Sequence, residues 1–135
     1  MPTHTNREPL VLILADEALI ALNLQDELQD AGYAVAGPFT TCSAALHWLG
    51  SATPSLAILD AALNDGSCIE VASELNRREV PFLIYSGHQE NHILMAELPH
   101  VTWVAKPAPP DVLVQACQQL IGGSAKLLGE ASSLR

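Results

Sequence analysis

Leu10-Val11-Leu12-Ile13-Leu14-Ala15-Asp16-Glu17 is an aliphatic run that breaks off into two acids. Continuous apolar residues without alternation are the pattern of a strand covered on both faces, as in parallel sheets. The six residues from Leu10 to Ala15 fall far short of the roughly 20 that span a bilayer. They are also short for a signal-peptide core, and no basic segment precedes them. Three further runs share this character. Leu56-Ala57-Ile58-Leu59 ends at Asp60, Pro81-Phe82-Leu83-Ile84-Tyr85 ends at Ser86-Gly87, and Val101 to Ala105 ends at Lys106-Pro107. Tyr33 to Ala36 reads as a shorter strand, stopped by Gly37-Pro38.

Between these runs the period changes. Ile20, Leu24, Leu28 and Ala31 follow i, i+4, i+8, i+11 and predict one face of a helix closed by Gly32. Thr41 or Ser43 caps a helix that runs to Leu49 and closes at Gly50. After a loop containing Asn64-Asp65-Gly66, a helix face carries Cys68, Val71, Ala72 and Leu75. Segment 88–98 reads at best as a short, weak helix. Pro109-Pro110-Asp111 opens the last helix, on which Leu113, Ala116, Cys117 and Leu120 recur. Gly122-Gly123 is expected to end a domain spanning 9–122, leaving loose ends at 1–8 and 123–135. Five alternations of strand and helix predict an α/β fold: a flavodoxin-like, doubly wound, five-stranded parallel sheet of order 2-1-3-4-5, in three α/β/α layers.

Composition narrows the function. The chain has 135 residues, 49% of them apolar and 16% charged, which is the make-up of one folded domain and excludes disorder. Fifteen acidic against six basic residues give a net charge of −9, which excludes nucleic-acid binding through the overall field. With no span and no leader, no membrane partner and a cytoplasmic location are expected. The three cysteines, Cys42, Cys68 and Cys117, cannot all pair and form no C-x-x-C motif. They read as small buried filler. The five histidines show no metal-binding pattern.

In open α/β sheets the ligand crevice lies beyond the carboxyl ends of the strands, at the switch point between strands one and three. The residues that fall there are Asp16 and Glu17 after strand one, Asp60 after strand three, Ser86 after strand four and Lys106 after strand five. Each alone has an ordinary explanation: a loop acid, a helix cap, a solvated lysine. Four strand ends carrying compatible groups are a more specific signal. Clustered carboxylates repel one another, and a hard divalent cation such as Mg²⁺ relieves that. A carboxylate can attack phosphorus to form an aspartyl phosphate, while metal and lysine neutralise the phosphoryl oxygens. Acids at Asp16-Glu17, where phosphate loops present glycines, disfavour a nucleotide-binding loop.

Val11-Leu-Ile-Leu-Ala-Asp-Glu17, Leu59-Asp60, Tyr85-Ser86-Gly87 and Val104-Ala-Lys106-Pro107, in this order, resemble the receiver domain of two-component response regulators over about residues 9–122. The resemblance implies a CheY-like single-domain receiver. In it Asp60 takes a phosphoryl group from a histidine kinase or phosphotransfer protein. Mg²⁺ would be held by Asp16, Asp60 and the backbone carbonyl of Ala62, with Glu17 as an additional candidate. Ser86 is implied as the switch hydroxyl, Lys106 as the phosphate-pairing lysine, Trp103 as the switch aromatic, and Lys106-Pro107 as a cis bond. Trp103 also reads as an ordinary half-buried strand residue. Output would pass to an unknown downstream protein, with a homodimer as a further expectation. The sequence departs from the family at Ala15, where a second metal-site acid is usual. That substitution supports an alternative: a degenerate receiver acting as a phosphorylation-independent interaction module. A small phosphatase using Asp60 is disfavoured, because Ala62 stands where that class carries a second acid.

Overall fold

The computed structural model describes residues 9–60, 62–63, 66–86, 101–105 and 108–133. In chain order the elements are β1 (Leu10–Leu14), α1 (Ala18–Asp30), β2 (Ala34–Phe39), α2 (Cys42–Leu49), β3 (Leu56–Asp60), β4 (Ala62–Leu63), β5 (Gly66–Ser67), α3 (Ile69–Arg77), β6 (Phe82–Ser86), β7 (Thr102–Ala105) and α4 (Pro110–Ser133). Five strands form one sheet of order β2-β1-β3-β6-β7, every pair parallel. Counting only its own strands, that is the expected order 2-1-3-4-5. β4 and β5 form a separate antiparallel pair where the sequence suggests only a loop.

The sheet is central because both of its faces are apolar. Along each strand, successive side chains turn to opposite sides. Leu12, Leu14, Leu59 and Ile84 meet α2 and α3, whereas Val11, Ile13, Ile58 and Leu83 meet α1 and α4. This is the three-layer arrangement. The three cysteines are buried, one each in or next to α2, α3 and α4. Burial pushes the Cys68 and Cys117 thiols up to about 12, as expected for filler rather than reactive groups.

Local rules account for most element ends. Thr41, not Ser43, caps α2, its Oγ1 accepting from the Ala44 N–H at 3.1 Å. Gly32 follows α1 at φ +97°, with the Tyr33 N–H returning to the Leu28 carbonyl at 2.9 Å. Three expectations need correction. The inward face of α1 is Ala21, Leu24 and Leu28, while Ile20 is 36% exposed. The first turn, Ala18-Leu19-Ile20-Ala21-Leu22, is apolar all round, so spacing alone does not select the face that packs. β2 does not stop at Gly37-Pro38 but continues to Phe39. It is an edge strand, where a proline lacking its N–H is tolerated, and its pairing with β1 shifts register between Leu12 and Leu14. The Gly37-Pro38 bond is cis, whereas the cis bond expected at Lys106-Pro107 lies outside the described residues. Finally, α4 passes through Gly122-Gly123 to Ser133 in place of a loose tail. Two glycines cost a helix about 1 kcal/mol each relative to alanine, which weakens it without forbidding it. Segments 1–8 and 88–98 lie outside the described residues.

Candidate functional site

The parallel strands of the sheet all point to one edge, where the exits of β1, β3 and β6 carry Asp16, Asp60 and Ser86. Asp60 is the last residue of β3, the middle strand, and is 3% exposed; it is the one buried charged or polar residue among the described residues. The strand register sets Leu14 of β1 beside Leu59 of β3. Asp16, two residues beyond Leu14, and Asp60, one beyond Leu59, therefore leave neighbouring strands at the same edge. On the other side of β3, Asp60 is in register with Tyr85 of β6, and the next residue, Ser86, is in register with Ala105 at the end of β7. The backbone thus brings Asp16, Asp60 and Ser86 to three adjacent strand exits. Lys106 follows Ala105 in sequence and lies outside the described residues.

The two acids differ in environment. Asp16 is exposed beyond β1, whereas Asp60 sits at the dry base of the edge. The Asp60 carboxylate is near enough to Cys68 to add to the upward push on that thiol, behind the larger effect of burial. Glu17 is exposed and takes the position before α1 without capping it through its side chain. Ala62, whose carbonyl is the expected backbone ligand, lies in β4, paired with Ser67 of β5. Trp103 of β7 is half-buried and packs on the α2–α3 side of the sheet.

Among the described residues no three His, Cys, Asp or Glu side chains gather as a metal cluster. Ala15, which precedes Asp16, is partly buried against the α1–α4 side. Two carboxylates at adjacent strand exits and a nearby main-chain carbonyl nevertheless fit Mg²⁺. That ion takes one or two protein carboxylates and keeps several waters.

One contact at this edge is not evident from the sequence. Tyr85 is 7% exposed, and its hydroxyl reaches Ala108 in the segment between β7 and α4. The Ala108 N–H donates to Tyr85 Oη at 3.0 Å, and the hydroxyl donates to the Ala108 carbonyl at 3.3 Å. The available signal is a tyrosine closing the apolar run Phe82-Leu83-Ile84-Tyr85, since a buried phenol hydroxyl normally finds a partner.

Comparison with known proteins agrees with this architecture. The family model for the response regulator receiver domain matches residues 11–118. The chain belongs to that family, whose members are signalling domains rather than conventional enzymes. Among solved structures it is similar to the receiver domain of the PhyR response regulator from Erythrobacter litoralis, at 25% identity and TM-score 0.75, covering 87% of this chain and 92% of that one. It is also similar to a CheY-like receiver domain protein from Methanospirillum hungatei JF-1, at 20% identity and TM-score 0.76, covering 88% and 98%. A third similar structure is the Francisella response regulator 1452 receiver domain, at 20% identity and TM-score 0.73, covering 87% and 99%. A search of the curated proteins finds no match.

Proposed function

We propose that the domain accepts a phosphoryl group on Asp60 from a histidine kinase or phosphotransfer protein and passes the signal on by protein contact. The observation that carries this is Asp60 itself: a buried acid ending the central strand of the sheet, between the exits that carry Asp16 and Ser86. A carboxylate held there is shielded from bulk water, and a carboxylate oxygen can serve as a nucleophile toward phosphorus. That oxygen forms a bond to phosphorus as the bond from phosphorus to the donor's imidazole nitrogen breaks. The electron pair of the broken bond stays with the imidazole.

Asp16, Asp60 and the Ala62 carbonyl would hold Mg²⁺, with Glu17 beside them; the ion supplies charge neutralisation on the phosphoryl oxygens. Lys106 would pair with one of those oxygens. Ser86 would hydrogen-bond another, and Trp103 would reorient as Ser86 moves, reshaping the face around β6 and β7. The product is a modified carboxylate and a changed surface, which a downstream protein or a second copy of the chain reads. A cytoplasmic location accords with this role. No helix among the described residues is long and apolar enough to cross a membrane.

Incubation with acetyl phosphate and Mg²⁺, read by intact mass, tests the reading. The native chain is expected to gain one phosphoryl group, and Asp60→Asn none. Stable uptake by Asp60→Asn would remove Asp60 from its role. Ala15 specifically favours a second reading, in which the domain is a phosphorylation-independent interaction module. Tryptophan fluorescence in a Trp48→Phe background, titrated with Mg²⁺ with and without beryllofluoride, separates the two. A response requiring Mg²⁺ supports phosphoacceptance, and a flat signal supports the module.

A further inference from the structure

We propose that Phe39 is a positioning residue for Asp16, holding the end of β1 at the place from which that carboxylate would bind Mg²⁺. The inference rests on the metal-binding role given to Asp16 above. Ala15, the residue before Asp16, donates its N–H to the Phe39 carbonyl at 2.9 Å. This bond reaches past Leu14, the last residue of β1. The Phe39 ring is anchored in turn. Its centroid lies 6.2 Å from that of the Trp48 ring of α2, with the planes tilted by 44°. Both residues pack on the apolar cluster of the α2–α3 side. Asp16 therefore leaves the sheet one residue after a main-chain tie whose acceptor is held by packing.

An irregularity in β2 creates this tie. Leu10, Val11 and Leu12 pair in step with Ala34, Val35 and Ala36, but Leu14 pairs with Phe39. In the unshifted register Leu14 would face Pro38, which has no N–H to give. The extra residue on β2 is a bulge, a device found preferentially at sheet edges and beside active sites. Gly37 makes room for it, since a Cβ there would lie 2.7 Å from the Ile13 carbonyl oxygen. The bulge thus carries the pairing of β2 past its proline and up to the residue that precedes the metal-site acid. With an alanine at residue 15, placing the ion from the β1 side falls to Asp16, with Glu17 beside it. Asp16 is exposed, and an exposed carboxylate on an untied chain end loses conformational freedom when it binds an ion. Fixing Ala15 beforehand removes part of that loss.

Calorimetric titration with MgCl₂ tests this in four chains: native, Phe39→Ala, Phe39→Tyr and Trp48→Leu. Phe39→Ala is expected to weaken Mg²⁺ binding about tenfold. Phe39→Tyr keeps the ring and is expected to bind as the native chain does. Trp48→Leu removes the other ring of the pair; it is the second variant and is expected to weaken binding in the same direction. Exchange of the Ala15 amide with solvent deuterium is expected to accelerate in Phe39→Ala and Trp48→Leu. Phosphoryl uptake from acetyl phosphate by Phe39→Ala is expected to slow at low Mg²⁺ and to recover in excess Mg²⁺. A general loosening around Asp60 would not be repaired by the ion. Native Mg²⁺ affinity in Phe39→Ala and Trp48→Leu overturns the inference. So does weakened binding with the Ala15 amide exchanging at its native rate. If the native chain binds Mg²⁺ and these results are negative, only the positioning role falls; if it binds no Mg²⁺, the metal-binding reading of Asp16 falls as well.

Discussion

A methyl group at residue 37 has nowhere to go. The Cβ of an alanine there would lie 2.7 Å from the Ile13 carbonyl oxygen and 2.8 Å from the Phe39 nitrogen, both main-chain atoms. The residue also has φ +101°, where L side chains are strained. Gly37→Ala is expected to cost about 2–4 kcal/mol and to lower the thermal midpoint by about ten degrees. Thermal unfolding by circular dichroism checks this, and a midpoint within a degree of native would contradict the observed pairing of β1 with β2. At the same scale, much of the candidate site can be read from sequence, because a polar residue stands out at the end of an aliphatic run. Asp60 and Ser86 are conspicuous for that reason. Tyr85 is not: within Phe82-Leu83-Ile84-Tyr85 it counts as one more apolar strand residue, and the use of its hydroxyl depends on a partner 23 positions away.

Helix endings show how the same local device can be built with unequal residues. After α1, Gly32 takes the left-handed conformation, and the Tyr33 N–H returns to the Leu28 carbonyl. After α3, Glu79 takes that conformation at φ +61°, with the Val80 N–H returning to the Leu75 carbonyl at 2.9 Å. A residue with a Cβ pays about 1–2 kcal/mol there, partly offset by the greater freedom of glycine in the unfolded chain. Glu79→Gly is expected to stabilise the domain by about 0.5–1 kcal/mol, measured as a rise in urea midpoint at constant slope. A fall in midpoint would show that the Glu79 side chain contributes more than its backbone loses. Elements differ in legibility for related reasons. The central strands are evident because continuous aliphatic runs have few other uses. The paired segments Ala62–Leu63 and Gly66–Ser67 are too short to display a period. Gly37-Pro38 and Gly122-Gly123 both resemble stops. An edge position accommodates the first, and the helix carries on through the second.

For the molecule as a whole, the sheet divides two apolar layers while the surface carries the net charge of −9. Like charges on a compact body repel, and salt screens them. The thermal midpoint is therefore expected to rise by several degrees between about 10 mM and about 500 mM NaCl. A midpoint that falls with salt would show that attractive surface pairs, such as Glu74 with Arg77 and Arg78, outweigh the repulsion. The sulfur atoms of the domain have a different consequence. Cys42, Cys68 and Cys117 are walled in on both sides of the sheet, and at neutral pH the thiols of Cys68 and Cys117 keep their protons. Peroxide or glutathione meeting the folded protein finds no ready thiolate there to attack. Two of the three sulfur atoms in the core are thus kept as inert packing rather than as a record of the redox state around the domain.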